Sequence, residues 1–267
     1  GPTPIHPEDL VPWHNLNALL AIGSGDGPLA EDHAERLLPL LETQTPDGRA
    51  SKAASALTDL ANVLWSFGMF ASAERFHRRL VDHDTSLHGP EHPDTLASRN
   101  NLALALRSQG KHAEAEREHR AVLAIRERVS GPEHPNTLAS RMNLANALRF
   151  QGKHTEAELE DRARIAIEER VLGPEHPDAL GSRNNFANTL RSQGKHADAE
   201  REHRTVLTIR ERVLGPEHPD TLASRMNLAN TLHSQGKHAE AEREHRAVLA
   251  IRERILGPEH PDVFRSW

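Results

Sequence analysis

Asparagine and arginine side chains recur along this chain at intervals of 42 residues. An asparagine amide both donates and accepts hydrogen bonds, so a row of amides can pair with the backbone of an extended polypeptide whatever its sequence. An arginine guanidinium suits carboxylates. The pattern predicts either a surface that recognises polypeptide or asparagines that only order the stack by hydrogen-bonding to the preceding helix B. The positions are Asn101, Asn143, Asn185 and Asn227, then Asn146, Asn188 and Asn230, and Arg107, Arg149 and Arg191.

The unit that carries these residues has a constant length. A spacing of 42 residues without insertions indicates one supersecondary unit stacked on copies of itself. Each unit is too small to bury its apolar face alone, so neighbouring copies must supply the core. The unit begins at Gly89, returns at Gly131, Gly173 and Gly215, and opens once more at Gly257.

Each unit contains two helical patterns separated by a glycine. In the copy that begins at Gly89, helix A is predicted over residues 93–109 and helix B over residues 112–129. Pro93 suits a first helical turn, and Gly110 can adopt the left-handed conformation that ends a helix. A helical wheel at about 100° per residue separates a packed side of helix A from an open arc of about 120°. The packed side contains Leu96, Leu102, Ala103 and Leu106, and the open arc contains Ala97, Asn100, Asn101, Leu104, Arg107 and Ser108.

The repeated motifs resemble tetratricopeptide repeats of the kinesin-light-chain type. The motifs are HPDTLASRNNLA, QGKHAEAE and LAIRERVLGPEHP, and they cover residues 52–267. HEAT repeats share the approximate period, but the short Gln-Gly-Lys-His turn favours tetratricopeptide repeats. The resemblance implies an all-α fold: a right-handed superhelical solenoid of antiparallel helix pairs, with helix A lining a concave groove that binds extended peptides.

The resemblance also implies roles for residues of helix A. Asparagines would hold the backbone of a bound peptide, and basic residues would meet its acidic side chains. The basic position becomes His233 in the last copy and Trp65 in the first, which weakens the acidic preference at both ends. We therefore expect a protein-interaction scaffold that binds an extended acidic peptide. The predicted peptide-binding residues are Asn100, Asn101, Arg107, Asn143, Asn146, Arg149, Phe150, Asn184, Asn185, Asn188, Arg191, Asn227, Asn230 and His233.

The third regular copy departs from the others. Its helix B reads AELEDRARIAIEER where other copies read AEREHRAVLAIRER, which places Asp161 and Arg164 at or near the interior. A buried charge is costly unless it is paired, and the i,i+3 spacing predicts that Asp161 pairs with Arg164. Phe150 replaces a serine on the open arc. The copy either compensates its charges by a salt bridge or uses Phe150 as an apolar anchor for a ligand.

The pattern divides the chain into three segments. Residues 1–51 are predicted to form a degenerate helical hairpin that caps the array, with a connector. Residues 52–256 contain five regular helix pairs, and residues 257–267 read as the truncated start of a further repeat or a tail. The hairpin is expected to combine a helix over residues 8–22 with one that begins near Pro28. The buried side of that second helix is expected to carry Leu37, Leu38 and Leu41.

Composition argues against several classes of function. The net charge of -6 disfavours a nucleic-acid partner, and zero Cys excludes a disulfide framework. No signal peptide and no apolar run of about 20 residues is present, so we expect no membrane partner and a cytoplasmic location.

Enzymatic and cofactor chemistry have no sequence support. The 19 His mostly recur with the repeat, and no HExxH motif or i,i+4 His pair within one helix appears. We therefore expect no metal, no cofactor and no catalytic residue. Two alternatives to a peptide scaffold stay open: homo-oligomerisation through solenoid ends or grooves, and service as the regulatory arm of a larger signalling or effector protein.

Overall fold

The computed structural model describes residues 27–41 and 49–257, and within those ranges the chain forms eleven α-helices and no strand. The predicted helix over residues 8–22 and most of the predicted tail lie outside these ranges. The division of the chain at residues 51 and 256 stays a prediction. The chain separates into two compact units, Gly1–Gly131 and Pro132–Trp267.

The first unit contains five of the described helices, and each packs on the next. The expected second helix of the hairpin is present as α1, where Leu37 is buried and Leu38 is partly buried. The Leu41 side chain lies outside the described part. The helices are α1 Gly27–Leu41, α2 Arg49–Ser66, α3 Phe70–His88, α4 Pro93–Ser108 and α5 His112–Val129.

The second unit contains three regular helix pairs in which each helix again packs on the next. Helix A of one pair also contacts helix A of the following pair, α8 against α10. This sequential packing of helix pairs is the arrangement of an all-α solenoid. The helices are α6 Pro135–Phe150, α7 His154–Leu172, α8 Pro177–Ser192, α9 His196–Leu214, α10 Pro219–Ser234 and α11 His238–Leu256.

The predicted packed side of helix A is confirmed in α4. Its packed residues Leu96, Leu102, Ala103 and Leu106 are each less than 5% exposed. Gly110 has φ +77°, so it takes the left-handed conformation that the turn requires. The Lys111 N–H bonds to the Leu106 carbonyl at 3.0 Å, which closes the end of the helix.

Within each unit, the Gln-Gly-Lys turn fastens a helix pair to the one before it. Gln109 donates to the Phe70 carbonyl at 2.9 Å, and Lys111 pairs with Glu74 at 2.6 Å. In the second unit Lys195 pairs in the same way with Glu158, at 2.8 Å. These bonds cross from one repeat to the next, which explains why the turn recurs with the repeat.

Histidine begins every helix A from α4 onwards, a role that the sequence pattern did not predict. The ring Nδ1 accepts a hydrogen bond from the backbone N–H two residues later, for example from Asn136 to His134 at 3.1 Å. This bond satisfies one of the free donors at a helix start. The capping residues are His92, His134, His176 and His218.

Candidate functional site

The open side of helix A in the second unit brings predicted asparagines together. The Asn227 side chain on α10 donates to the Asn184 side-chain oxygen on α8 at 3.1 Å. Side chains one repeat apart therefore stand side by side on neighbouring helices. Asn184, Asn185 and Asn188 are half-buried, and Asn230 is exposed. The bond between Asn184 and Asn227 joins two successive helices A, and not helix A to the preceding helix B. In the described residues no group bonds to the side-chain amide of Asn188 or Asn230.

Arg149 on α6 belongs to an internal network. Its guanidinium donates to the Asp161 carboxylate at 2.8 Å and also bonds to the Thr189 hydroxyl and the Asn146 side-chain oxygen. The Thr189 hydroxyl in turn donates to Asp161 at 2.8 Å. The Arg149 side chain is only 18% exposed and that of Asp161 5%. This arginine is already neutralised by a carboxylate of its own repeat.

Burial shifts the ionisation of Asp161. Loss of solvent raises the pKa of the Asp161 carboxyl, and the opposing effects of Arg149 and Thr189 do not cancel that increase. Burial therefore penalises the charged carboxylate of Asp161, and the Arg149 and Thr189 donors offset only part of that penalty.

The expected pair of Asp161 and Arg164 is not what forms. Arg164 bonds to Glu168 at 2.7 Å, while Asp161 takes Arg149. The i,i+3 spacing indicates only which residues of the same helix can pair. Arg149 and Thr189 reach Asp161 from the two helices that pack against α7, which the spacing along the chain does not show.

Arg191 on α8 has a different neighbourhood. It forms no ion pair with a carboxylate in the described part of the chain, and its buried Nε has no hydrogen-bond partner there. The residue that corresponds to Asp161 is His203, which is 0% exposed. Burial first, and the charge of Arg191 second, lower the pKa of His203 to about 4. Arg191 therefore carries a positive charge beside a neutral ring.

The remaining predicted residues of the second unit differ in accessibility. Phe150, at the end of α6, is 62% exposed. Asn143 is half-buried. His233 at the end of α10 is exposed, and its ring meets that of His238 edge-on at 4.8 Å. The exposed rings of Phe150 and His233 thus lie near the ends of helices that also carry the predicted asparagines.

The first unit presents a related but less polar surface. Asn100, Asn101 and Arg107 on α4 are half-buried. Burial lowers the pKa of Arg107. Trp65 occupies the arginine position of the preceding helix A, and its Nε1 donates to the Ser108 hydroxyl at 2.7 Å. The indole thus joins two successive helices where later repeats place a charge.

In the described part of the chain, no helix combines the length and apolar character needed to cross a bilayer. Comparison with known proteins defines the family. The family model described as tetratricopeptide repeat matches residues 52–128, 94–160, 178–254 and 223–267. The chain belongs to the tetratricopeptide-repeat family. Proteins with this repeat are generally non-enzymatic scaffolds, and interaction with other proteins is typical of the fold.

Solved structures confirm the kinesin-light-chain resemblance and the solenoid class. A Podosopora anserina protein assigned as a kinesin light chain, with nearly identical TPR-like repeats, is 30% identical, with a TM-score of 0.68. The match covers 74% of this chain and 94% of that one. BtubC (BKLC) from P. vanneervenii is 19% identical over 94% of both chains, with a TM-score of 0.65. The apo form of RapI is 14% identical over 92% of this chain and 98% of its own, with a TM-score of 0.57. No curated protein matches significantly.

Proposed function

We propose that the chain is a non-enzymatic scaffold that binds an extended peptide along helices α6, α8 and α10, and that Arg191 meets an acidic side chain of that peptide. Family membership supports the scaffold role. The observation that carries the finer proposal is the contrast between two arginines of equivalent position. Arg149 is paired with Asp161, whereas Arg191 has no carboxylate partner in the described residues.

The amides next to Arg191 supply the other half of the recognition. Asn188 lies one helical turn before it, and Asn230 occupies the same position on α10. Amides at these places pair with peptide backbone groups whatever the ligand sequence. The guanidinium then selects for a carboxylate, which gives a preference for acidic peptides without demanding a strict motif.

A peptide-array screen with the intact chain, followed by fluorescence anisotropy on the best acidic peptide, tests the proposal. Arg191→Gln removes the charge with little change of shape. A charge-assisted hydrogen bond contributes about 1.5–3 kcal/mol, so we expect binding to weaken by roughly tenfold or more. A peptide with Gln in place of the contacted Glu should lose affinity for the wild-type chain and show no further loss with Arg191→Gln.

Arg201→Gln is the matched control. It removes one positive charge from α9, where the side chain is 75% exposed and pairs with Asp198 on its own helix. We expect this variant to bind like the wild type after correction for salt. Equal affinity of the wild type and Arg191→Gln for acidic peptides would contradict the role of Arg191. Absence of any peptide ligand in the screen would contradict the binding function itself.

Self-association is the second candidate, because one exposed apolar side chain has no counterpart in other repeats. Leu159 on α7 is 61% exposed and stands where other repeats have arginine, as at Arg117 and Arg201. A single exposed apolar residue is common on protein surfaces, so the feature that favours a contact here is the replacement of a repeated arginine. Sedimentation velocity of the wild type and Leu159→Arg tests it: an oligomer that Leu159→Arg converts to monomer supports self-association, and a monomeric wild type excludes it.

A further inference from the structure

Three side chains with metal-binding chemistry meet where α3 ends and α4 begins. His88 is the last residue of α3, His92 begins α4, and Asp94 lies in its first turn. The two imidazole rings stack with centroids 4.4 Å apart and an angle of 20° between their planes. The His92 Nδ1, which accepts the capping hydrogen bond from the Asp94 N–H at 3.3 Å, lies 3.5 Å from the Asp94 Oδ2. Each residue offers one ligand atom, and these three atoms all lie within 4.8 Å of one another.

The connector between the two helices holds the cluster together. Gly89 has φ +91°, a conformation open to glycine, and it turns the chain sharply after His88. The Thr95 hydroxyl donates to the Gly89 carbonyl at 2.8 Å and fastens the connector to the first turn of α4. His88 and His92 are therefore an i,i+4 pair that spans a helix end. This pair does not lie within a single helix, so the rule for pairs on one helix does not predict it.

Two later repeats have the equivalent histidine and aspartate but lack a histidine at the position of His88. The Nδ1–Oδ2 distance is 3.7 Å between His176 and Asp178 and 4.0 Å between His218 and Asp220. At the position of His88 these two repeats have Leu172 and Leu214. Among the residues that the structure describes, the cluster at His88 is the one group of three or more potential metal ligands. The repeat thus provides a two-ligand site, and His88 adds the third ligand.

The chemistry of the three donors selects the ion. Two imidazoles and one carboxylate match the ligands that Zn²⁺ takes in proteins, and three protein ligands leave a position for water. The side chains of His92 and Asp94 are 40% and 68% exposed, so an ion can enter from solvent. The negative C-terminal end of α3 favours a cation, whereas the positive N-terminal end of α4 opposes it. We propose that His88, His92 and Asp94 form a zinc site that pins α3 to α4.

Zinc titration of the intact, tag-free chain tests the site. Isothermal calorimetry with zinc alone should give one specific site, and saturating zinc should raise the melting temperature because the ion binds the folded connector. His88→Leu copies the residue of the later repeats and should weaken zinc binding at that site by roughly tenfold or more. Asp94→Asn, which copies Asn136 of the third repeat, should weaken it as well.

Introducing a third metal ligand into another repeat distinguishes a specific zinc site from weak binding of zinc at many surface histidines. Leu172→His places a third ligand beside His176 and Asp178, and we expect the number of specific sites to rise from one to two. His134→Gln changes a histidine at a helix start in a repeat that has Ser130 and Asn136 instead, and it should leave zinc affinity unchanged. Unchanged affinity and stoichiometry in His88→Leu overturn the proposal, and so does weak, multiple binding shared equally by all variants, which means an adventitious ion only.

Discussion

Helices α7 and α9 occupy equivalent positions in successive repeats, yet the buried residues of the two helices differ in chemistry. In α7, Asp161 pairs with Arg149, and Arg164 pairs with Glu168. In α9, the corresponding interior residues are the neutral His203 and the apolar Val206, both 0% exposed. Arg210, which corresponds to Glu168, instead donates to the Ser224 hydroxyl and the Asp220 carbonyl on α10, at 2.9 and 3.0 Å. One repeat uses paired charges where the next uses packing and a neutral ring.

The difference shows that the substitutions in the third repeat compensate each other. Arg164 replaces a valine and Glu168 replaces an arginine, so the repeat exchanges one long-range arginine contact for an ion pair within the helix. Asp161 replaces a histidine and pairs with Arg149 of its own repeat, whereas in the next repeat His203 gives Arg191 no carboxylate. As a result, Arg149 is paired with a carboxylate inside the protein, whereas Arg191 has no carboxylate partner in the described residues. A change of core chemistry decides which repeat can offer a guanidinium to a ligand.

The largest expected effect comes from removing Arg149. Arg149→Met leaves Asp161 buried without its cation, which for a broken buried pair costs about 3–5 kcal/mol of stability. Arg191→Met in the next repeat removes no ion pair, so we expect a loss of at most about 1 kcal/mol. Urea denaturation of both variants, followed by far-UV circular dichroism, measures the difference. The double variant Arg149→Met with Asp161→Leu should recover most of the loss, and equal losses in the two single variants would remove the distinction between the repeats.

The next effect is on the pH dependence of stability. The folded pKa of His203, about 4, lies below its ordinary 6.5, so the unfolded chain binds the proton more tightly. The contribution of this residue is therefore fully present above pH 6.5 and is lost as the pH falls towards 4, by about 3 kcal/mol. Asp161 has the opposite sign, because its pKa is raised and acidification favours its folded form. His203→Leu should flatten the loss of stability between pH 6.5 and 4, as measured by urea midpoints across that range.

His203→Asp sharpens the same test by copying the third repeat into the fourth. Arg191 and Thr231 occupy the positions of Arg149 and Thr189, so the introduced carboxylate has the same two donors in reach. We expect the acid-induced loss at this position to disappear. An unchanged slope in both His203 variants would mean that the ring is not held neutral in the folded chain.

The smallest expected effect comes from converting the interior of α7 to that of α9. Arg164→Val together with Glu168→Arg restores the valine and arginine of the other repeats. Replacing a buried ion pair by the alternative packing is commonly neutral or mildly stabilising, so we expect a change between zero and a gain of about 1 kcal/mol in urea denaturation. Arg164→Val alone leaves the Glu168 side chain, 3% exposed, without a cation and should be clearly less stable than the double variant. A double variant as unstable as that single one would show that the two substitutions are independent.

Local rules predicted most of the helices and turns. The described helix A of the second copy ends at Ser108, against a predicted Gln109, and its helix B has the predicted bounds of residues 112–129. These features follow from helical periodicity, proline and glycine, which act over a few neighbouring residues. The N-terminal histidines of helix A were missed, because histidine is not among the usual capping residues.

The candidate site was predictable in its positions and not in its partners. The 42-residue spacing predicts that the asparagines and arginines share one side of helix A, since it fixes where each side chain leaves its helix. The repeat spacing does not show that Arg149 forms an ion pair with Asp161, or that the Asn184 and Asn227 side chains bond to each other. The absence of an i,i+4 histidine pair within one helix predicts no metal site, but His88 and His92 form such a pair across a helix end.

The amino-acid order alone determined the family, the helix pairs and the faces of each helix, because those properties depend on residues a few positions apart and on a constant repeat length. The tertiary structure decided which charges meet. Ion pairs such as Arg149 with Asp161 join two helices of one pair, and Thr189 reaches them from a third helix. Distances between helices depend on how the repeats pack, and a few ångströms there decide whether a guanidinium is neutralised inside the protein or left for a ligand.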